Sequence, residues 1–95
     1  MVIPFKTSVI RKQTAAKGRL CYELICKTDA QSNEVISYGV KLYNALFGSA
    51  EQVEILDVTP DLAYAIELFE LLVCFLVTPI TLKDVIDDFL YEKYR

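Results

Sequence analysis

Hydrophobic and polar residues alternate along the first half of the chain, with the two-residue period of a half-buried β-strand. Three stretches show it: residues 3–12 (IPFKTSVIRK), 19–27 (RLCYELICK) and 35–43 (VISYGVKLY). In the first, Ile10 breaks the alternation, and Lys6, Ser8 and Lys12 fall on the side opposite Val9. In the third, Gly39 predicts a bulge or a close backbone approach. We therefore expect three strands.

The connections between these stretches have the composition of tight turns. Residues 28–34 (TDAQSNE) contain Asp, Ser and Asn, whose side chains bond their own backbone, so they predict a hairpin. Gly48 and Ser49 favour a second turn, after which residues 52–58 (QVEILDV) predict a fourth strand with Val53 and Ile55 facing inward. The pattern indicates an antiparallel meander.

The next stretch predicts a helix over residues 60–76 that is apolar around most of its surface. Thr59 is suited to cap the free amides, and Pro60 to occupy the first helical position, where no donor is needed. Polar positions form one narrow stripe: Tyr64, Glu67, Glu70 and Cys74. One sheet and one further helix can hardly cover such a helix in 95 residues, so the pattern favours a second subunit as the missing cover.

A second helix is predicted from Thr81 onward, after the pair Thr78-Pro79 ends the first. Thr81 as N-cap, with Asp84 at the third helical position, predicts a short capping box, and Ile80 with Val85 a hydrophobic staple. The apolar stripe consists of Leu82, Val85, Ile86, Phe89 and Leu90. We expect a single α+β domain over residues 1–95: three to four antiparallel strands, then two C-terminal helices packed on one sheet face.

The composition excludes several classes of enzyme. The chain has no histidine, so catalysis by Ser-His or Cys-His pairs is excluded, and its three glycines form no phosphate-binding cluster. The three cysteines are an odd set without Cys-x-x-Cys spacing and no signal-like segment precedes them, which favours free thiols in the cytoplasm. The longest apolar run, residues 62–77, is too short for a membrane span. No cofactor is expected.

Charge is distributed unevenly along the chain. Residues 1–28 carry six basic side chains and one acidic one, whereas residues 29–95 carry four basic and twelve acidic ones. Such polarity indicates either a surface that faces nucleic acid or two ends that attract each other in a dimer. The nucleic-acid hypothesis would use Lys6, Arg11, Lys12, Lys17 and Arg19. Those charges are sparse and lack the interleaved aromatic residues of a base-stacking platform, so we favour an ordinary solvated face of the sheet.

Four acids crowd the last helix: Asp84, Asp87, Asp88 and Glu92. One-turn spacing makes Asp84, Asp88 and Glu92 a column of carboxylates that a divalent cation could bridge, as in a metal-dependent enzyme. The column lies opposite the apolar stripe, however, and one helix offers too few ligands to dehydrate a cation. We therefore expect no metal, a solvated face, and a pair between Lys83 and Asp87.

Tyrosine is abundant, and its large apolar body with a polar tip favours protein interfaces. Tyr22 and Tyr38 are expected in the core. The residues that we expect at an interaction surface are Tyr64, Glu67, Tyr91, Tyr94, Asp84, Asp88, Arg11, Lys12 and Arg19.

The segments YEL in the second strand, SYGV in the third and VTPITLKDVIDDFL at the end together resemble a small family of uncharacterised bacterial domains, found mainly in Firmicutes. The resemblance covers about residues 20–90. It implies a bacterial cytoplasmic setting and a stand-alone domain, and it carries over no functional residues. The sequence leaves the biological function unknown; the leading hypothesis is a non-enzymatic interaction or regulatory module acting as a homodimer.

Overall fold

Four strands form one antiparallel sheet in the order β1-β2-β3-β4. In the computed structural model, which describes residues 4–44 and 51–95, the strands are β1 (Phe5–Ala15), β2 (Leu20–Asp29), β3 (Val35–Asn44) and β4 (Gln52–Thr59). Two helices follow, α1 (Leu62–Cys74) and α2 (Leu82–Tyr94), and both pack on one face of the sheet. The predicted α+β meander is confirmed; the predicted turn at Gly48 and Ser49 lies outside the described residues.

The core lies between the helices and one side of the sheet. It contains alternate residues of the two central strands together with the inner faces of the helices: Leu20, Tyr22, Leu24, Cys26, Tyr38, Val40, Leu42, Ala65, Leu68, Phe69, Leu72, Val77, Leu82, Ile86 and Phe89. Tyr22 and Tyr38 are buried, as predicted, and the Tyr22 hydroxyl donates to the carbonyl of Val77 at 2.9 Å. Burial raises the pKa of Tyr22.

A bulge at Ile10 explains why this residue breaks the alternation. Val9 pairs with Ile25 and Arg11 with Leu24, so Ile10 is the extra residue of β1. The bulge reverses the side on which the later residues lie. Arg11 therefore shares the helix side with Lys6 and Ser8, which pair with Thr28 and with Cys26, while Lys12 lies on the opposite side, across from Glu23. The simple alternation, which grouped Lys12 with Lys6, was wrong here.

Gly39 allows β4 to approach β3 closely, as its position in the sequence predicted. A Cβ atom at Gly39 would lie 2.4 Å from the carbonyl oxygen of Ile55 and 2.8 Å from Cα of Leu56. The register between β3 and β4 shifts at this point, and Asp57 on the β4 side adopts a left-handed φ of 57°. The glycine thus makes room for a bulged strand.

The N-cap predicted for α1 is wrong, whereas Thr81 is the N-cap of α2 as predicted but forms no capping bond. Asp61, not Thr59, caps α1, since its carboxylate accepts from the amide of Tyr64 at 3.0 Å; Thr59 is buried and accepts from the amide of Asp61 instead. Thr81 is the N-cap of α2 but makes no side-chain cap bond, because its backbone is already helical. Ile80 is 88% exposed, so the predicted hydrophobic staple is absent.

The end of α1 is a Schellman turn with an unusual residue. The amide of Val77 donates to the carbonyl of Leu72 at 3.0 Å, and the amide of Leu76 to that of Val73 at 3.2 Å. Leu76 occupies the left-handed position at φ 51°, where glycine is usual and a bulky side chain costs about 1–2 kcal/mol. The strained position therefore holds a leucine whose side chain remains half-exposed.

The two helices cover the sheet unevenly. α2 lies over β4, and α1 contacts all four strands, β2 most extensively. Nine of the eleven residues of β1 are exposed on one face or the other. The helix side of β1 is therefore only partly covered, by α1 where Arg11 meets Phe69 and Glu70, and we call it the β1 shelf. No helix in the described ranges is both long enough and apolar enough to span a bilayer.

Candidate interaction surface

The structure separates the predicted basic and acidic candidates to opposite edges of the sheet. Arg11 and Lys12 lie on β1, at one edge, and Arg19 lies in the turn that follows. The acidic and tyrosine candidates of α2 lie at the other edge, because α2 covers β4; they are Asp84, Asp88, Tyr91 and Tyr94. The molecule therefore has a cationic edge and an anionic edge.

Contacts within the chain hold the basic side chains of β1 in two different ways. The Arg11 guanidinium lies 5.5 Å from the centre of the Phe69 ring and 3.6 Å from a carboxylate oxygen of Glu70, on the helix side. On the other side, Lys12 lies 4.0 Å from a carboxylate oxygen of Glu23. A hydrogen bond with Tyr43, followed by the charges around it, raises the pKa of Lys12. The bulge therefore gives each cation its own environment.

The flank of α1 that faces β1 is apolar and partly uncovered. Leu62 is exposed, and Ile66 and Val73 on the same flank are only half-buried. Beyond the helix, Phe75 is 73% exposed and Leu76 is 49% exposed. We call these five residues the α1 flank. The flank borders the shelf of β1, because Phe69 and Glu70 between its members contact Arg11.

On the other side of α1, a groove of about 380 Å³ separates the two helices. Its apolar walls are Leu71, Val85 and Phe89, and its polar rim is Glu67, Asp88, Glu92 and Lys93. The Lys93 ammonium bonds Glu67 at 2.5 Å and lies over the Phe89 ring at 5.6 Å. The hydrogen bond with Glu67 is the main reason that the pKa of Lys93 is raised. The ion pair between Lys93 and Glu67 therefore lies on the rim of the groove.

The three candidate tyrosines have different roles in the structure. The rings of Tyr64 and Tyr94 meet edge to face, with centroids 5.5 Å apart, and the Tyr94 hydroxyl bonds the buried Thr59 hydroxyl. These contacts fasten the end of α2 to α1. Tyr91 is exposed and turned away from the core. Of the three, Tyr91 is the most exposed, at 67%.

The outer face of α2 is acidic. Asp84, Asp88 and Tyr91 are exposed, opposite the buried Leu82, Ile86 and Phe89. The predicted pair between Lys83 and Asp87 is present at 3.1 Å. Nowhere in residues 4–44 and 51–95 do three acidic or cysteine side chains stand close enough together to hold a metal ion.

One polar cluster on the uncovered face of the sheet could not be found from the sequence. The Lys27 ammonium bonds both carboxylate oxygens of Asp57 at 3.0 Å, and the Ser37 hydroxyl donates to the same carboxylate. The hydrogen bond from Ser37 and the one from Lys27 lower the pKa of Asp57. A carboxylate with a lowered pKa is a poor base for activating the serine, so the arrangement serves to fix the bulge of β4.

Replacing Asp57 by asparagine is expected to remove a pH-dependent part of the stability while keeping the backbone, because asparagine tolerates a left-handed φ. The carboxyl pKa is lower in the folded chain, so the wild-type advantage is fully present above the unfolded pKa of about 4. It disappears as the pH falls through the folded pKa. Since Asp57 is 55% exposed, the advantage is at most about 1 kcal/mol.

Urea unfolding of both proteins at about pH 7 and about pH 2 measures this effect. The difference between the two free energies of unfolding should shrink at the acid pH. A difference that is equal at the two pH values would contradict the role given to the Asp57 carboxylate.

A family model described as "Family of unknown function (DUF6514)" matches residues 1–92 of the chain. No curated protein matches the chain. No solved structure matches it either.

Proposed function

This chain belongs to DUF6514, a family of unknown function, and from its surface we propose that it is a non-enzymatic protein-interaction or regulatory module that acts as a homodimer. The proposal places it in the reducing cytoplasm of a bacterium, in keeping with three free cysteines, two of which are buried. The module works by presenting a surface to another chain, and the first such chain is its own copy.

The observation that carries the proposal is the pair Phe75 and Leu76 at the end of α1. Phe75 exposes most of its ring, and Leu76 exposes half of its side chain from a left-handed position that favours glycine. Neither residue improves the isolated chain, since exposed apolar area gains nothing and the left-handed leucine is strained. A contact outside the chain accounts for both.

The surrounding surface supports the same proposal. The α1 flank also includes Leu62, Ile66 and Val73, which are exposed or half-buried, and most residues of β1 beside it are exposed. Exposed apolar residues grouped near charged ones are typical of an interface between protein chains. A second copy of the same chain is always present at the same concentration as the first. Two-fold pairing is also the commonest form of association between identical chains.

Replacing Phe75 by serine is expected to weaken dimerisation by roughly a hundredfold, the effect of truncating a central aromatic contact. Replacing Leu76 by glycine is expected to weaken the dimer as well, while raising the free energy of unfolding of the monomer by about 1 kcal/mol, because the strain at φ 51° is relieved. Light scattering during size exclusion, combined with urea unfolding, measures both quantities.

Ile80→Ser is the matched control, because Ile80 is equally apolar and highly exposed but lies beside Gln52 and Val53 of β4, the strand at the opposite edge of the sheet from β1. It should leave the dimer intact. If Phe75→Ser and Ile80→Ser have the same oligomeric state at every concentration, the α1 flank is not the interface.

A further inference from the structure

We infer that the groove between α1 and α2 binds a basic amphipathic helix of a partner protein. The apolar face of that helix enters the groove, and its Lys or Arg side chains meet the acids on the rim. This surface lies on the opposite side of α1 from the α1 flank. The inference rests on the proposed role as an interaction module, but not on the homodimer, and it names the chemistry of a second partner.

The first part of the argument is the shape of the groove. Direct contacts join the first half of α1 to the last turns of α2: the rings of Tyr64 and Tyr94 meet edge to face, and Glu67 pairs with Lys93. Apart from these contacts the backbones of the two helices lie apart. The space of about 380 Å³ between them is open to solvent. A groove of this size accepts a few leucine-sized side chains from a helix that lies across it.

The second part is the apolar lining of the groove. Leu71 of α1 and Val85 of α2 are only half-buried, and the buried Phe89 completes the lining. Val85 and Phe89 are one helical turn apart, so they form a strip along α2. A helix that presents apolar residues at spacings of three and four meets such a strip along its length. Apolar surface with a polar rim is typical of a binding groove.

The third part is the charge on the rim. Three of its four charged side chains are acids, and Lys93 neutralises only one of them, Glu67. Within the described residues Asp88 forms no ion pair, and Glu92 meets only Arg95, at 3.9 Å, with both side chains mostly exposed. Two carboxylates on the α2 side of the groove therefore remain for a partner of positive charge.

The same features exclude other occupants. The outer face of α2 in a second copy would bring Asp84 and Asp88 against the acids of the rim, so this groove does not serve the homodimer. Nucleic acid and anionic membrane surfaces are repelled for the same reason. Two helices offer no unpaired backbone edge to an extended segment. The partner must therefore satisfy its own backbone hydrogen bonds, as a helix does.

The test uses a pair of synthetic peptides that differ only in charge. Each has about 15 residues, which form about four helical turns. Leucines at spacings of three and four make one apolar stripe, flanked by lysines in the first peptide and by glutamates in the second. Fluorescence anisotropy of the labelled peptides measures binding. We expect saturable binding of the lysine peptide to the wild-type chain, and none of the glutamate peptide.

Charge reversal on the rim locates the binding site. Asp88→Lys combined with Glu92→Lys should weaken binding of the lysine peptide roughly tenfold, and should allow the glutamate peptide to bind. The matched control is Glu34→Lys combined with Glu54→Lys. It changes the net charge by the same amount, at exposed residues before β3 and on the uncovered face of β4, and should leave binding unchanged.

Val85→Ser tests the apolar part of the site. It removes an apolar wall of the groove without changing its charge, so it should weaken binding of the lysine peptide to the wild-type rim. Thermal unfolding verifies that every variant is folded.

The outcomes separate this inference from the homodimer. A lysine peptide that fails to bind at low ionic strength, or that binds the rim-reversed variant as tightly as the wild type, overturns the groove as the site. Equal binding of the two peptides overturns it as well. The mass of the chain without peptide tests the homodimer separately, so either result can fail while the other stands.

Discussion

Replacing Gly39 by alanine is expected to destabilise the protein by about 3 kcal/mol, at the upper end of what overpacking costs. The added Cβ would lie 2.4 Å from the carbonyl oxygen of Ile55 and 2.8 Å from Cα of Leu56. Both are backbone atoms, so no flexible side chain can move aside. β4 must shift, and α2 moves with it because α2 packs on β4. Urea unfolding with circular dichroism measures the loss.

Gly18→Ala is the matched control for this effect. A Cβ atom at Gly18 meets nothing within 4 Å, but the backbone φ of 85° strains any side chain. Its cost should be about 1 kcal/mol, from conformation alone. If the two alanine substitutions cost the same, the close approach of β4 to Gly39 is not the cause of the larger effect.

Replacing Phe69 by alanine is expected to cost about 3–5 kcal/mol, because Phe69 is 1% exposed at the centre of the core and its removal leaves a large cavity. That is a large share of the stability of a small domain. The substitution also removes the ring over which the Arg11 guanidinium lies, and so loosens the contact between α1 and β1. Phe69 therefore contributes both to the core and to the contact between β1 and α1.

Phe69→Leu separates these two roles. It keeps most of the buried volume and should cost less than about 1.5 kcal/mol, yet it lacks the aromatic face for Arg11. Hydrogen exchange of the β1 amides should then increase, while that of β2 and β3 stays close to the wild-type rate. Unchanged exchange in β1 would show that the Arg11–Phe69 contact does not hold the strand.

The period-two alternation was sufficient to find the strands, because alternate residues of β2 and β3 enter one core. It also marked the two irregularities that matter most. Ile10 broke the pattern because it is the extra residue of a bulge, and Gly39 stood where another backbone comes close. The apolar stripe of α2 could be predicted equally well from the sequence, since Leu82, Ile86 and Phe89 are all buried.

Details that depend on strand register and tertiary contacts could not be predicted from the sequence. The sequence grouped Lys12 with Lys6, whereas the bulge puts Arg11 there instead. Thr59 was expected to cap α1, but it is buried and its hydroxyl is bonded to Tyr94. Asp61 is the N-cap instead. A local pattern contains no information about a partner that lies 35 residues away in the chain.

The residues of the candidate surface could be predicted from the sequence, but their positions relative to one another could not. The basic and acidic candidates were identified from the uneven charge, yet only the strand order shows that they occupy opposite edges. The cluster of Lys27, Ser37 and Asp57 gave no signal, because three strands must pair before these side chains meet.

Sedimentation equilibrium of the wild-type chain over a range of micromolar concentrations measures whether the protein forms the proposed homodimer. We expect a mass that rises with concentration toward twice the 10.8 kDa of one chain. A mass of 10.8 kDa at every concentration, with the protein folded, would contradict it.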